Sequence, residues 1–153
     1  MSPEDRLKEL GIALPAPPAP VASYVPFTVS GGLVYISGQL PLEDGKLRHV
    51  GKLGGEISLA EGQAAARLCA INLLAQLKTA CGGDLGRVAR CLKLTVFVNA
   101  VPDYGQQPEV ANGASAFIAS VLGEAGKHAR AAVGVGSLPR GAAVEADAVF
   151  EIT

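Results

Sequence analysis

The stretch whose reading decides the fold is HARAAVGVGSLPRGAAVEADAVFEIT, His128 to Thr153. Ala129–Ser137 is a run of small and β-branched residues opened by a single arginine, Arg130. Leu138-Pro139-Arg140-Gly141 reads as a turn. Ala142–Ile152 then alternates with the period of a half-buried strand. Val144, Ala146, Ala148, Phe150 and Ile152 fall on one face, and Glu145, Asp147 and Glu151 on the other, with Val149 as the exception. The pattern predicts a closing hairpin with one face on a core and one face bearing carboxylates.

Upstream of this stretch the apolar period changes from two to 3.6. Glu109–Leu122 predicts a helix, with Val110, Ala114, Phe117 and Val121 on one face and Gly123 as its C-cap. Val88–Asn99 is the strongest strand pattern, ended by Pro102-Asp103. Ser58 and Glu61 form a capping-box pattern at the start of a long helix that runs to about Thr79. Its predicted stripe is Ala64, Leu68, Ile71 and Ala75, widened by Leu74 and Leu77, and Gly82-Gly83 stops it. Pro41–Gly55 reads as mostly loop. Tyr24–Val29 and Leu33–Ser37, separated by Ser30-Gly31-Gly32, predict a hairpin.

The order hairpin, helix, strand, helix, two strands predicts a two-layer α+β domain over residues 23–153, with two long helices on one face of a mixed sheet. Residues 1–22 read as an arm. Ser2 caps a short helix with Pro3 in its first turn, which ends near Leu10 with Gly11 as its C-cap. Pro15, Pro17, Pro18 and Pro20 then favour an extended crossing segment.

Hydrophobic residues make up 49% of the 153 and charged residues 18%, a folding composition. The net charge of −1 and a pI near 6.1 argue against a nucleic-acid partner, since the basic residues are scattered and form no patch. The start, MSPEDRLKEL, lacks the layout of a signal peptide, and no run reaches the ~18 apolar residues of a membrane span. The expectation is a cytoplasmic protein without a membrane partner. Three cysteines (Cys69, Cys81, Cys91) in no spacing pattern are not a disulfide framework. His49 and His128 stand far apart, so no metal site is expected.

Gly134-Val135-Gly136 is not a dinucleotide loop, because Pro139 stands where a third glycine belongs and no helix follows. Arg130 lies among alanines, outside any charge run. Two readings are open: a guanidinium that clamps a ligand carboxylate with parallel hydrogen bonds, or a structural or surface arginine at a strand end. Glu145 and Asp147 read as a solvated strand face or as a functional carboxylate pair. Ser37-Gly38-Gln39 could present backbone N–H groups and a hydroxyl to a ligand, or simply end a strand.

Tyr24, Val34-Tyr35-Ile36-Ser37-Gly38-Gln39-Leu40-Pro41 and Lys93-Leu94-Thr95-Val96-Phe97-Val98, followed by Ala129-Arg130, Leu138-Pro139-Arg140-Gly141 and Val144-Glu145, resemble the RidA/YjgF family, also described as L-PSP endoribonuclease-like. The resemblance implies a chorismate-mutase-like α+β fold and a homotrimer with clefts between subunits. It implies hydrolysis of reactive 2-imino acids to 2-keto acids and ammonia, with no cofactor. Arg130 would bind the substrate carboxylate, and Glu145 would act as acid/base or water-orienting group. Tyr24, Ser37 and Gly38 match cleft positions. Ala132 stands where the family often has cysteine, and Asn112 lies one residue from the family asparagine, beside Ala111. A protein that binds or senses a small carboxylate without turnover is the alternative, and an endoribonuclease fits less well.

Overall fold

The computed structural model describes residues 1–17 and 23–153. Its elements are α1 (Pro3–Glu9), β1 (Phe27–Ser30), β2 (Leu33–Gln39), β3 (Leu42–Glu43), β4 (Lys46–Leu47), α2 (Leu59–Ala80), β5 (Val88–Asn99), α3 (Gln107–Leu122), β6 (Ala129–Val135) and β7 (Val144–Ile152). The main sheet has the order β1-β2-β7-β5-β6. Its neighbours are antiparallel except β5 and β6, which run parallel. A parallel pair needs a crossover, and α3 supplies it. Both long helices lie on one face of the mixed sheet, as the alternation in β7 predicts: Val144, Ala146, Ala148, Phe150 and Ile152 are all buried.

The last two strands are not a hairpin. They flank β5 on opposite sides and never pair with each other. The chain after β6 crosses the end of β5, where Asn99 fastens it: the Asn99 backbone N–H donates to Ala143 O at 2.9 Å and Nδ2 donates to Ala142 O at 3.1 Å. β7 then enters between β2 and β5. Strand alternation sets which face is buried but not which neighbour a strand takes, so the sequence pattern fits both arrangements.

Two further expectations need refinement. Pro41–Gly55 is mostly loop, as expected, and within it lies a small hairpin, β3–β4, turned by Asp44-Gly45. The Asp-Gly pair signals it, but each strand is too short to show alternation. In α2 the buried residues are Gly62, Ala65, Ala66, Cys69, Ala70, Leu73, Leu74, Ala75, Gln76 and Leu77, so Leu74, Ala75 and Leu77 are covered as predicted, while Ala64 is exposed and Leu68 and Ile71 are half-buried. The helix packs against both the sheet and α3, so its covered arc is broad and rotated from the predicted stripe. Contact with α3 is very close at Gly113, where a Cβ would strike the backbone carbonyl of Gln63. The capping box of α2 forms as predicted: Ser58 Oγ accepts from Glu61 N at 3.2 Å, and Glu61 Oε1 accepts from Ser58 N at 3.0 Å. This pairing holds the Glu61 carboxyl below its ordinary value.

The arm is docked where it is described. Ser2 caps α1, Leu7 enters the main core, and Arg6 Nη1 donates to Val121 O at 3.2 Å. Glu4 Oε1 accepts from Leu85 N at 2.7 Å. The C-cap is Leu10, with Gly11 one residue beyond. Ile12 and Leu14 continue onto the core without regular structure. Pro18 and Pro20 of the expected crossing segment lie outside the described residues.

Candidate active site

Arg130 sits on β6, the edge strand, beside Leu94 of β5, which itself pairs with Ala148 of β7. Leu94 and Ala148 are buried beneath the helices, so Arg130 emerges on the helix side of the sheet, at its rim. There Arg130 Nη1 donates to Asn112 Oδ1 at 2.8 Å and to Ser115 Oγ at 3.2 Å, both from α3. Asn112 and Ser115 are three residues apart on the helix and so share a face. Ser115 Oγ also lies 2.8 Å from His128 Nε2, and His128 Nδ1 lies 2.6 Å from Gly126 O. These side chains, with Ala116, Ala119 and Lys127, line an open hollow of about 460 Å³. Among the described residues no carboxylate pairs with Arg130; the ion pairs are Arg48–Glu43, Arg90–Glu151 and Lys127–Glu124. The guanidinium is thus held by two neutral oxygens, without a carboxylate partner among the described residues.

Glu145 lies elsewhere. It pairs with Phe97, and Asp147 with Thr95, on the face of the sheet turned away from the helices. Burial pushes the Glu145 carboxyl above its ordinary value, and the neighbouring Asp147 adds to this. Asp147 is also raised by burial, against a hydrogen bond from Thr95 and the charge of Lys93. Gly38 belongs to this group: a Cβ there would collide with the Glu145 carboxylate. It lies in the irregularity of β2 between Ile36 and Gln39. Ser37 Oγ donates to Val25 O at 2.8 Å, which ties the segment carrying the exposed Tyr24 to the same strand.

The expected site residues therefore fall into two groups within one chain. Arg130 and Asn112 meet at the helix-side rim. Tyr24, Ser37, Gly38 and Glu145 gather around β2 and β7. Ala132, paired with Val96, packs against the core one step along from Arg130. Ser115 and His128 are functional-looking residues that the sequence reading passed over. The available signal was spacing: His128 and Arg130 stand two apart at a strand start, and Asn112 and Ser115 stand three apart on a helix. Only the fold shows that these two pairs face each other.

The cysteines are all buried. Burial raises the thiols of Cys69 and Cys81 and pushes Cys91 up to about 12, so none is set up as a nucleophile. Among the described residues no three His, Cys, Asp or Glu side chains converge to hold a metal ion. No described helix is long and apolar enough to cross a membrane.

The two-layer α+β fold with this mixed sheet places the chain in a known structural class. A family model described as "YjgF/chorismate mutase-like, putative endoribonuclease" matches residues 4–144. The chain belongs to this YjgF/RidA family. It is similar to the Trypanosoma cruzi protein TCP17, 52% identical over 147 residues, covering 95% of this chain and 91% of that one. An Agrobacterium tumefaciens protein of unknown function has a crystal structure with a TM-score of 0.93 and 54% identity, over 99% of this chain and 92% of that one. RidA from an Antarctic Psychrobacter shows a TM-score of 0.59 and 31% identity, over 90% of this chain and 94% of that one.

Proposed function

We propose that this protein hydrolyses reactive 2-imino acids to 2-keto acids and ammonia, in a cleft completed by a second copy of the chain. The observation that carries the reading is Arg130, aimed by Asn112 and Ser115 and free of any carboxylate partner among the described residues. A planar guanidinium can hold a substrate carboxylate through two parallel hydrogen bonds. The imine carbon is already electrophilic, so anchoring, water placement and proton movement suffice. Glu145 is the proposed water-orienting carboxylate.

Arg130 and Glu145 lie on opposite faces of one sheet, which favours a site assembled from two copies. The open sheet face supports association. Tyr35 and Val133 on it are 47% and 42% exposed, beside half-buried Val149 and Phe97. A homotrimer, as the family resemblance implies, would cover this face and bring the Glu145 group of one copy toward the Arg130 hollow of the next.

The test is hydrolysis of imines generated in situ from serine or threonine. The wild type should exceed the buffer rate, and Arg130→Ala should lower kcat/KM by about 10²-fold or more, the loss expected for a charge-assisted pair. A wild type no faster than buffer sinks the enzymatic reading. The same separation of Arg130 and Glu145 favours, as a second reading, carboxylate binding without turnover. That reading predicts thermal stabilisation by 2-keto acids that Arg130→Ala abolishes, with no hydrolysis.

A further inference from the structure

We propose that Ser115 and His128 form the proton relay of the Arg130 hollow, an inference that rests on the hydrolytic reading above. The wiring follows from the hydrogen bonds. Gly126 O is a carbonyl and can only accept, so His128 Nδ1, 2.6 Å away, carries the proton. In the neutral ring Nε2 is then the acceptor, and Ser115 Oγ–H donates to it across 2.8 Å. Ser115 Oγ in turn accepts from Arg130 Nη1 at 3.2 Å. The hydroxyl thus stands between a base and the guanidinium proposed to hold the substrate. That is the logic of a hydroxyl paired with an oriented imidazole, with a backbone carbonyl as the orienting third group. All four partners come from α3 or from the segment 126–130, so each copy carries its relay complete.

The chemistry balances without a co-reactant. Water attacks the carbon of the protonated imine, and the C=N π pair moves to nitrogen. Ser115 takes the proton released by the water as it passes its own to His128 Nε2. The tetrahedral carbinolamine then receives that proton on its amine nitrogen. The C–N bond breaks as the hydroxyl oxygen forms the new C=O, and the hydroxyl proton leaves with the nitrogen as ammonium. Imine, water and one proton become keto acid and ammonium, and the relay returns to its starting state. Ser115 would contact the water; His128 is a positioning residue that acts through it.

The discriminating experiment measures kcat and KM of wild type, Arg130→Ala, His128→Gln, His128→Asn, Ser115→Ala and Ser115→Thr on the same imines. Asn can keep the hydrogen bond to Gly126 O and Gln the one to Ser115, and neither accepts a proton, so a structural role resting on either contact would survive in one of the two. The relay predicts that both His128 variants lose about 10²-fold in kcat with KM within about twofold, and that Ser115→Thr recovers most of what Ser115→Ala loses. Nitrogen NMR at a pH where the His128 ring is neutral should show Nδ1 protonated and Nε2 bare, whichever variants fold. A wild type without turnover overturns the hydrolytic reading and the relay together. Turnover that Arg130→Ala removes but His128→Gln or His128→Asn leaves intact overturns the relay alone, as does a neutral ring protonated on Nε2.

Discussion

The two faces of the sheet carry the two halves of the proposed chemistry, and they are built differently. At the helix-side rim, Arg130 is complete within one chain, with its acceptors supplied by α3 and no opposing charge among the described residues. On the open face, Glu145 and Asp147 crowd one another under partial burial, and both are held above their ordinary values.

The largest expected effect is the loss of turnover in Arg130→Ala, because it removes the clamp outright. Next comes Gly38→Ala. The added methyl occupies the position of the Glu145 carboxylate and forces it aside, so kcat should fall about tenfold or more while Arg130 still binds. Asn112→Ala loosens the guanidinium without removing it. KM for the imine should rise about tenfold, and the same shift should appear in the dissociation constant of a 2-keto acid.

A smaller effect, on stability, probes the open face. A carboxyl raised above its ordinary value binds more protons folded than unfolded. Stability therefore falls as pH climbs from the ordinary carboxylate value through the raised one. Glu145→Gln and Asp147→Asn should each raise the melting temperature at neutral pH, on the order of 2 °C. The gain should shrink as the pH falls through the raised carboxyl values, where the native carboxyls become neutral too. A variant melting at or below wild type at neutral pH would mean that the carboxylates are not strained as described.

Most of the fold was legible because its signals were local. Ser58 with Glu61, Ser2 with Pro3, the β7 alternation and Gly31-Gly32 each set one element through hydrogen bonds or periodicity within a few residues. The insertion of β7 between β2 and β5 was not legible, because partner choice depends on the crossing at Asn99. The α2 stripe was legible only at Leu74, Ala75 and Leu77, because alanine-rich helices carry little contrast and the helix also packs closely on α3 at Gly113. Arg130 and Glu145 stood out by chemistry, but their separation onto opposite faces depends on the strand order. Ser115 and His128 became visible only when α3 was laid beside the start of β6.

The central claim is that each site joins the Arg130 face of one copy to the Glu145 face of another, and complementation tests it most directly. Arg130→Ala and Glu145→Ala are each prepared, mixed in equal amounts under conditions that exchange subunits, and assayed for imine hydrolysis. If each site takes its arginine and its glutamate from different copies, random mixing rebuilds about a quarter of the sites, and activity rises well above that of either variant. Activity in the mixture no greater than the mean of the two parents, or a Glu145→Ala variant as active as wild type, would contradict it.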